Sequence, residues 1–434
     1  MKIVFLGAGS TVFVKNVLGD CMLAEGIQDF EVALVDINQE RMQESYELIC
    51  ALRDKYKPTV VIKKYDANEE IQIKEAFSGA KYIVNAIQVG GYEPCTVTDF
   101  EIPKKYGLRQ TIGDTVGIGG IFRALRTMPV MKRYADIMEE VCPDTYFLNY
   151  VNPMSILTGY MQRNTKINTL GLCHSCQVVL STGSSLGIEG WDTAEYTLAG
   201  INHMCWLLSV KDKDGKDLYP EFKKRFNETR EGDLVRLEIM NRFGYYNTES
   251  SEHTAEYHPY FIKKDHPELI ERYQIPLDEY PRRCVEQIEQ WKKQKEELNK
   301  AENIRHERSR EYCSRIIEAI ETGVPYKIYA NVQNTDLITN LPKNACVEVP
   351  IMVDGSGYHP CHVGDLPDEL AALNMSHIAV HNMVIKAMET LEKEYIYKAA
   401  YLDPHTRDQL TFDEIKNLCD DLIEAHKGWL PEFH

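Results

Sequence analysis

The sequence has no run of 18 apolar residues, no basic segment ahead of a hydrophobic stretch and no small-residue cleavage site near its start; MKIVFLGAGS passes straight from an apolar run into glycines. Neither a membrane-spanning helix nor a secretory leader is expected, and a soluble, cytoplasmic protein is. Positive charge is scarce: 49 Lys and Arg stand against 66 Asp and Glu, for a net charge of -17. That balance argues against the broad phosphate-neutralising face that a nucleic-acid or anionic-membrane binder needs. The Lys292-Lys293 pair sits among acids and reads as a solvated helix face. Twelve cysteines lack paired, framework-like spacing, which favours free thiols. Repeats, low-complexity tracts and a clean linker are missing as well.

What remains is an ordinary globular balance, 44% hydrophobic and 26% charged over 434 residues, enough for two domains at about 150 residues or more each. Six short apolar runs, KIVFLG, EVALVDI, TVVIKKY, KYIVNAI, TYFLNYV and NTLGLC, are separated by amphipathic helical patterns. Continuous apolar runs of that length suit the strands of a parallel sheet covered on both faces. The expected fold is therefore α/β: a Rossmann-like doubly wound parallel sheet over residues 1–195, then a mixed α+β domain over 196–434, the plan of lactate and malate dehydrogenases. In the second part, YTLAGINHMCWLLSVKDKDGKDLYP reads as a hairpin turning at Lys213-Asp214-Gly215. CVEVPIMVDGSGYHP reads as another around Gly355, and 265–322 and 366–400 read as helical.

Gly7-Ala8-Gly9 lies between a strand and a helical pattern, where a tight turn, a close approach to pyrophosphate and a helix N-terminus combine into a dinucleotide site. Ser10 and Thr11 open the helix, and Val12 stands where a third glycine is usual, altering helix packing more than ligand access. Asp36 ends the second strand, where a carboxylate would accept from ribose hydroxyls and repel a 2'-phosphate, favouring NAD over NADP. Gln88, in the loop after the fourth strand, completes the cofactor-binding set. A purely structural glycine turn is the plain alternative.

GLCHSCQ lies at the expected carboxyl end of the sixth strand, where ligands of open α/β sheets collect. INHMCW follows, with His203 and Cys205 two apart on an expected strand and so on one face. Four readings compete: a Cys173/Cys176 dithiol, a structural zinc on Cys173, Cys176, His203 and Cys205, packed core residues, and a catalytic metal on Cys173 and His203 with open positions left for chemistry. Asn149 and Asn152 end the fifth strand, and TIGDTVGIGGIFRALRT brings Asp114, Arg123 and Arg126 on a glycine-rich loop and its helix. TESSEHTAEYHPYF concentrates Glu249, Glu252, His253, Glu256 and Tyr257; folded back over the cleft, a tyrosine or histidine there would serve as a base.

Together GAGST, DI, GGYEPCTVTDFEIPKKYGLRQTIGDTVGIGGIFRALRT, NYVNPM, GLCHS, GINHM and SSEHTAEYHPYF resemble the NAD- and manganese-dependent glycoside hydrolases of family 4, closest to the α-galactosidase members. The likeness spans almost the whole chain. The resemblance implies NAD and Mn2+ or another divalent metal, transient oxidation at sugar carbon 3, deprotonation at carbon 2, elimination of the aglycone and addition of water. It also implies Cys173 and His203 as metal ligands, Tyr257 as base, His174 assisting leaving-group departure, Asp114 in the catalytic set, and Asn152, Asn149 and Arg123 on the sugar. The implied partner is a small α-galactoside, with no nucleic acid or membrane, and the implied assembly is a homodimer or homotetramer. Cys176 replaces a usual valine and Ile118 a usual proline, so α-glucosidase and α-hexuronidase activities stay open. A 2-hydroxyacid dehydrogenase and an NAD-sensing binding protein are the readings outside the family.

Overall fold

Ile3, Val4, Phe5 and Leu6 are all buried, and they divide by parity: Ile3 and Phe5 join a core with Val14, Val17 and Leu18, while Val4 and Leu6 join another with Phe122, Leu125 and Met128. Successive strand residues face opposite sides, so this first strand, β1 (Lys2–Leu6), is covered by helices both above and below. Each large side chain so buried contributes about 1.5–3 kcal/mol. The computed structural model describes residues 1–229, 232–298 and 305–434, with the backbone alone described for 292–298.

The five other apolar runs give β2 (Glu31–Asp36), β3 (Val61–Asp66), β4 (Tyr82–Asn85), β5 (Tyr146–Asn149) and β6 (Asn168–Gly171). They pair in parallel in the order β3-β2-β1-β4-β5-β6, the doubly wound sheet expected. The sheet then continues without a break through antiparallel strands. These are β7 (Glu195–Ile201), β8 (Met204–Lys211), β9 (Tyr246–Asn247), β10 (Tyr326–Gln333), β11 (Cys346–Asp354) and β12 (Gly357–Pro360), ordered β10-β11-β7-β8-β9 outward from β6, with β12 on β11. The join is made where Asn331 faces Gly171.

The hairpin around Gly355 forms between β11 and β12. The other is corrected: its turn is Asn202-His203, with Ile201 opposite Met204. Both flanks of that dipeptide are fully buried apolar runs, which require strand on either side, whereas DKDG is exposed and makes only a tight turn beyond β8. The expectation for Val12 is also corrected, since its side chain is about half exposed instead of packed between helix and sheet. Helices cover Glu268–Arg272, Glu279–Leu298 and Tyr312–Thr322 of one expected helical stretch, of which 299–304 lie outside the described residues, as do the Lys292 and Lys293 side chains. Asp368–Thr390 and Lys393–Leu402 form the other. No helix among the described residues is long and apolar enough to cross a membrane.

Candidate active site

At the carboxyl end of β1, Gly7 has φ +79°, and a Cβ there would lie 2.5 Å from the carbonyl oxygen of Ala86. Only glycine fits both the left-handed backbone and the close approach. The helix Thr11–Leu23 begins at Ser10, whose side chain makes no capping hydrogen bond, so its first N–H groups are open to an anion. Asp36 accepts the Gly9 N–H through Oδ2 at 2.6 Å and the Asn38 N–H through Oδ1 at 2.7 Å. It retains lone pairs for further donors. Ile37, directly after it, is exposed and offers an apolar flank. Gly7, Gly9, Ser10 and Asp36 thus make a cradle that fits a dinucleotide. Thr11 is drawn inward, its hydroxyl 2.8 Å from that of Ser45.

The second part of the site is assembled from three loops on the extended sheet. Cys173 follows β6, just ahead of the helix Ser175–Ser185. His203 occupies the β7–β8 turn with φ 62°, a left-handed conformation in which His is enriched. Glu249 lies between β9 and the helix Ser251–Tyr257. The His203 Nε2 is 3.3 Å from the Cys173 Sγ and 3.2 Å from the Glu249 Oε2, and the three donor atoms fall within 4.8 Å of one another. Burial opposes charge on each group and is overcome: the Glu249 carboxylate and Cys173 thiolate raise His203 to about 10, and His203 in turn lowers both of them. In the free protein the cluster therefore favours a proton on His203, between Cys173 and Glu249. One thiolate, one imidazole and one carboxylate are also a suitable donor set for a divalent transition metal, with positions left for substrate. Ion binding there would displace the proton.

Around this cluster, His253 has its ring 4.3 Å from that of His203 and is held near 4, by burial and then by His203. Tyr257 is buried and donates its hydroxyl to the Asn202 carbonyl at 3.1 Å; burial lifts its ionisation well above the ordinary range. Tyr260, by contrast, is half exposed and stacks on His258. The Asn202 amide is buried with neither polar atom partnered. His174 pairs with Glu311 at 2.6 Å; burial lowers its pKa, but Glu311 and the Cys173 charge carry it above its ordinary value.

A polar rim faces these groups. Asn152 donates to Asp114 at 3.2 Å, Arg123 donates to the Asn152 carbonyl at 3.1 Å and to the Tyr280 hydroxyl at 3.2 Å, and Gln88 reaches that hydroxyl at 3.5 Å. Burial pushes Asp114 up, while Arg123 and His253 draw it below its usual value. Glu256 accepts the backbone N–H groups of Thr111, Ile112 and Gly113, clamping the segment after β9 onto the Asp114 loop. Two of the expected groups are not brought to the rim. Asn149 is fully buried, its amide engaged by Asn85, Val151 and Thr158. Arg126 forms a bidentate pair with Asp99, which His426 also contacts. Sequence reasoning gave no role to Asn202 or Tyr280 and did not single out Glu249 as the third member of the cluster; the acidic richness of TESSEHTAEY was the only signal for the last.

Cys173, Cys176, His203 and Cys205 do not converge as one set. Cys176 and Cys205 turn instead to Glu348, forming a separate group. The dithiol and four-ligand zinc readings therefore do not match the arrangement.

Fold and site together define an α/β protein of dehydrogenase-like architecture, with a thiolate–imidazole–carboxylate centre added at the strand ends. Lactate dehydrogenase from Eimeria maxima shares the architecture at TM-score 0.52 and 12% identity, over 90% of this chain and 96% of its own. The chain belongs to glycosyl hydrolase family 4: the family 4 glycosyl hydrolase model matches residues 2–184, and that of the family 4 glycosyl hydrolase C-terminal domain matches 198–406. It is 57% identical over 436 residues to an alpha-galactosidase of Bacillus subtilis (strain 168), covering 100% of this chain and 99% of that one. A 6-phospho-alpha-glucosidase from gut microorganisms, solved in complex with NAD and Mn2+, has the same fold at TM-score 0.83 and 21% identity, covering 100% of this chain and 99% of its own.

Proposed function

We propose that this chain is an α-galactosidase that hydrolyses small α-galactosides with NAD and a divalent metal, Mn2+ foremost. The observation that carries the reading is the convergence of a dinucleotide cradle and the Cys173/His203/Glu249 cluster on the carboxyl edge of one sheet. A simple 2-hydroxyacid dehydrogenase gives that cluster nothing to do. When bound, NAD supplies a hydride acceptor for the carbon 3 hydroxyl, and the metal supplies a Lewis acid for the ketone so formed.

The protein's own groups do the rest. Gly7, Gly9, Ser10 and Asp36 would seat the nucleotide, with Gln88, in the loop after β4, completing the set. Cys173 and His203, joined by Glu249, hold the ion. Asn152, Asp114 and Arg123 orient sugar hydroxyls through a hydrogen-bond chain whose members fix one another. As the phenolate, Tyr257 would receive the carbon 2 proton at its oxygen; burial, Glu249 and Asp114 disfavour that form, and a divalent ion held beside it would favour it. His174, held in place by Glu311 at 2.6 Å, gives a proton to the departing aglycone. Acid and base steps of this kind are each worth roughly 10^2 to 10^4-fold. Residues 1–195 serve as the cofactor domain and 196–434 as the substrate, metal and oligomerisation domain of a homodimer or homotetramer. Twelve free cysteines suit a reducing cytoplasm.

The test is hydrolysis of p-nitrophenyl α-galactoside by the full chain with NAD, a manganese salt and a thiol reductant, each omitted in turn. Turnover is expected only when all three are present, and faster than with the α-glucoside or α-galacturonide. Undiminished hydrolysis by enzyme stripped of NAD refutes the redox route; a preference for another glycoside refutes the sugar assignment.

A further inference from the structure

Cys176 and Cys205 take no part in the chemistry above, yet they are not scattered core thiols. Three strands bring one of them toward a carboxyl: Glu348 of β11 is opposite Gly200 of β7, and Gly200 is opposite Cys205 of β8. Facing residues in register share a face, and the central one has no side chain to fill the gap. Cys176, in the first turn of Ser175–Ser185, closes the group from the adjoining helix. All three residues are fully buried, and their sulfur and oxygen atoms lie within 4.8 Å of one another.

The Glu348 carboxyl is the anomaly. It is 0% exposed, and neither of its oxygens has a nitrogen or oxygen donor; the Cys176 thiol lies beside it. Among the described residues no Lys, Arg or His forms an ion pair with it. A buried carboxyl without donors is among the least favourable groups a core can hold, and two thiols, as weak donors, compensate poorly. Two sulfurs and one carboxylate oxygen nevertheless make three converging donors, and the second carboxylate oxygen is available as a fourth. A tetrahedral ion bound by thiolate at about 2.3 Å and carboxylate at about 2.0–2.2 Å needs neighbouring donors close together in this way.

We propose that Cys176, Cys205 and Glu348 form a second, fully buried metal site, distinct from the Cys173/His203/Glu249 cluster, which takes a zinc-class divalent ion through two thiolates and the carboxylate. Sulfur-rich donors and enclosure select zinc over the harder manganese. The ion has a structural task. It ties the helix that follows Cys173, the hairpin whose turn carries His203, and the strand between them and the parallel sheet, and so sets the spacing of the first site from beneath. The proposal concerns metal content and does not depend on which glycoside is cleaved.

The test uses the full-length chain with Cys173→Ser, which removes the thiolate of the first site, and cobalt(II) as a spectroscopic probe. One equivalent of cobalt is expected to bind with a thiolate-to-cobalt charge-transfer band, and the band is expected to weaken in Cys173→Ser/Cys205→Ala, where one of its two thiolates is gone. Absence of the band in Cys173→Ser, or an unchanged band after Cys205→Ala, overturns the proposal. A second measurement covers the case in which the double variant does not fold. Unmodified protein dialysed against zinc and then against metal-free buffer should retain two equivalents per chain by elemental analysis and Cys173→Ser one; saturation of the unmodified protein at one equivalent overturns it.

Discussion

Asp20 offers a test of how the helix after the dinucleotide turn is tied to the catalytic edge. Its carboxylate is fully buried and accepts from His306 Nε2 at 2.7 Å, from the Ser309 N–H at 2.8 Å, from the Ser309 hydroxyl at 2.6 Å and from the Ser314 hydroxyl at 3.1 Å. The segment it holds leads to Glu311, the partner of His174. In Asp20→Asn the volume is kept, one oxygen still accepts, and the amide nitrogen meets the hydroxyls that formerly donated. Loss of charge-assisted hydrogen bonds costs about 1.5–3 kcal/mol each; because two contacts survive in weakened form, a total loss of about 2–4 kcal/mol is expected. The pH dependence has a definite sign. Burial raises the Asp20 pKa, but His306, Ser309 and Ser314 bring it below the ordinary carboxylate value of 3.8. A depressed carboxylate contributes stability that is fully present above the unfolded pKa and disappears as pH falls through the folded one. The gap between the two proteins should therefore be constant from neutral pH to about 5 and close progressively below about 4. Urea unfolding followed by circular dichroism across that range reads the gap, and hydrogen exchange at 306–314 reads the local loosening. A loss under about 1 kcal/mol, or a gap that does not change with acid, would refute this account of the network.

Gly7→Ala should weaken NAD binding severely, because the left-handed backbone alone costs about 1–2 kcal/mol and the new Cβ would lie 2.5 Å from the Ala86 oxygen; an unchanged NAD dissociation constant by calorimetry would count against the cradle. Glu249→Gln should lower the affinity for divalent metal at least about tenfold, in the range found for groups that support a metal centre, while leaving NAD affinity intact; equal metal affinity in the two proteins would remove Glu249 from the ligand set.

The sequence disclosed the parallel half of the fold because those strands, apart from the largely exposed edge strand β3, are buried on both faces. Such strands appear as uninterrupted apolar runs, whatever helices cover them. Cys173 and His203 were legible for a related reason, each lying within a short motif beside a strand end. The acids of TESSEHTAEY were not separable in this way. Glu249 reaches His203, Glu252 pairs with Arg283, and Glu256 takes three amides of the 111–113 loop. Which acid goes where depends on the phase and docking of a seven-residue helix, and neither is encoded in residue type.

The misplaced hairpin turn shows the same limit more sharply. KDKDG has the better turn composition, but tertiary pairing places the β7–β8 reversal at Asn202-His203, between two buried runs. That choice has chemical consequences. With His203 in the turn and Cys205 on the strand, the two side chains cannot share a face as a strand spacing of two would require. His203 is released toward Cys173 and Glu249, while Cys205 is directed through the gap at Gly200 to Glu348. A reversal moved by two residues would preserve strand parity but deprive the first cluster of its imidazole; moved by one, it would exchange the faces of Met204 and Cys205. The division of four neighbouring thiol and imidazole groups into two separate clusters is thus a property of sheet register, which no local pattern in GLCHSC or INHMCW records.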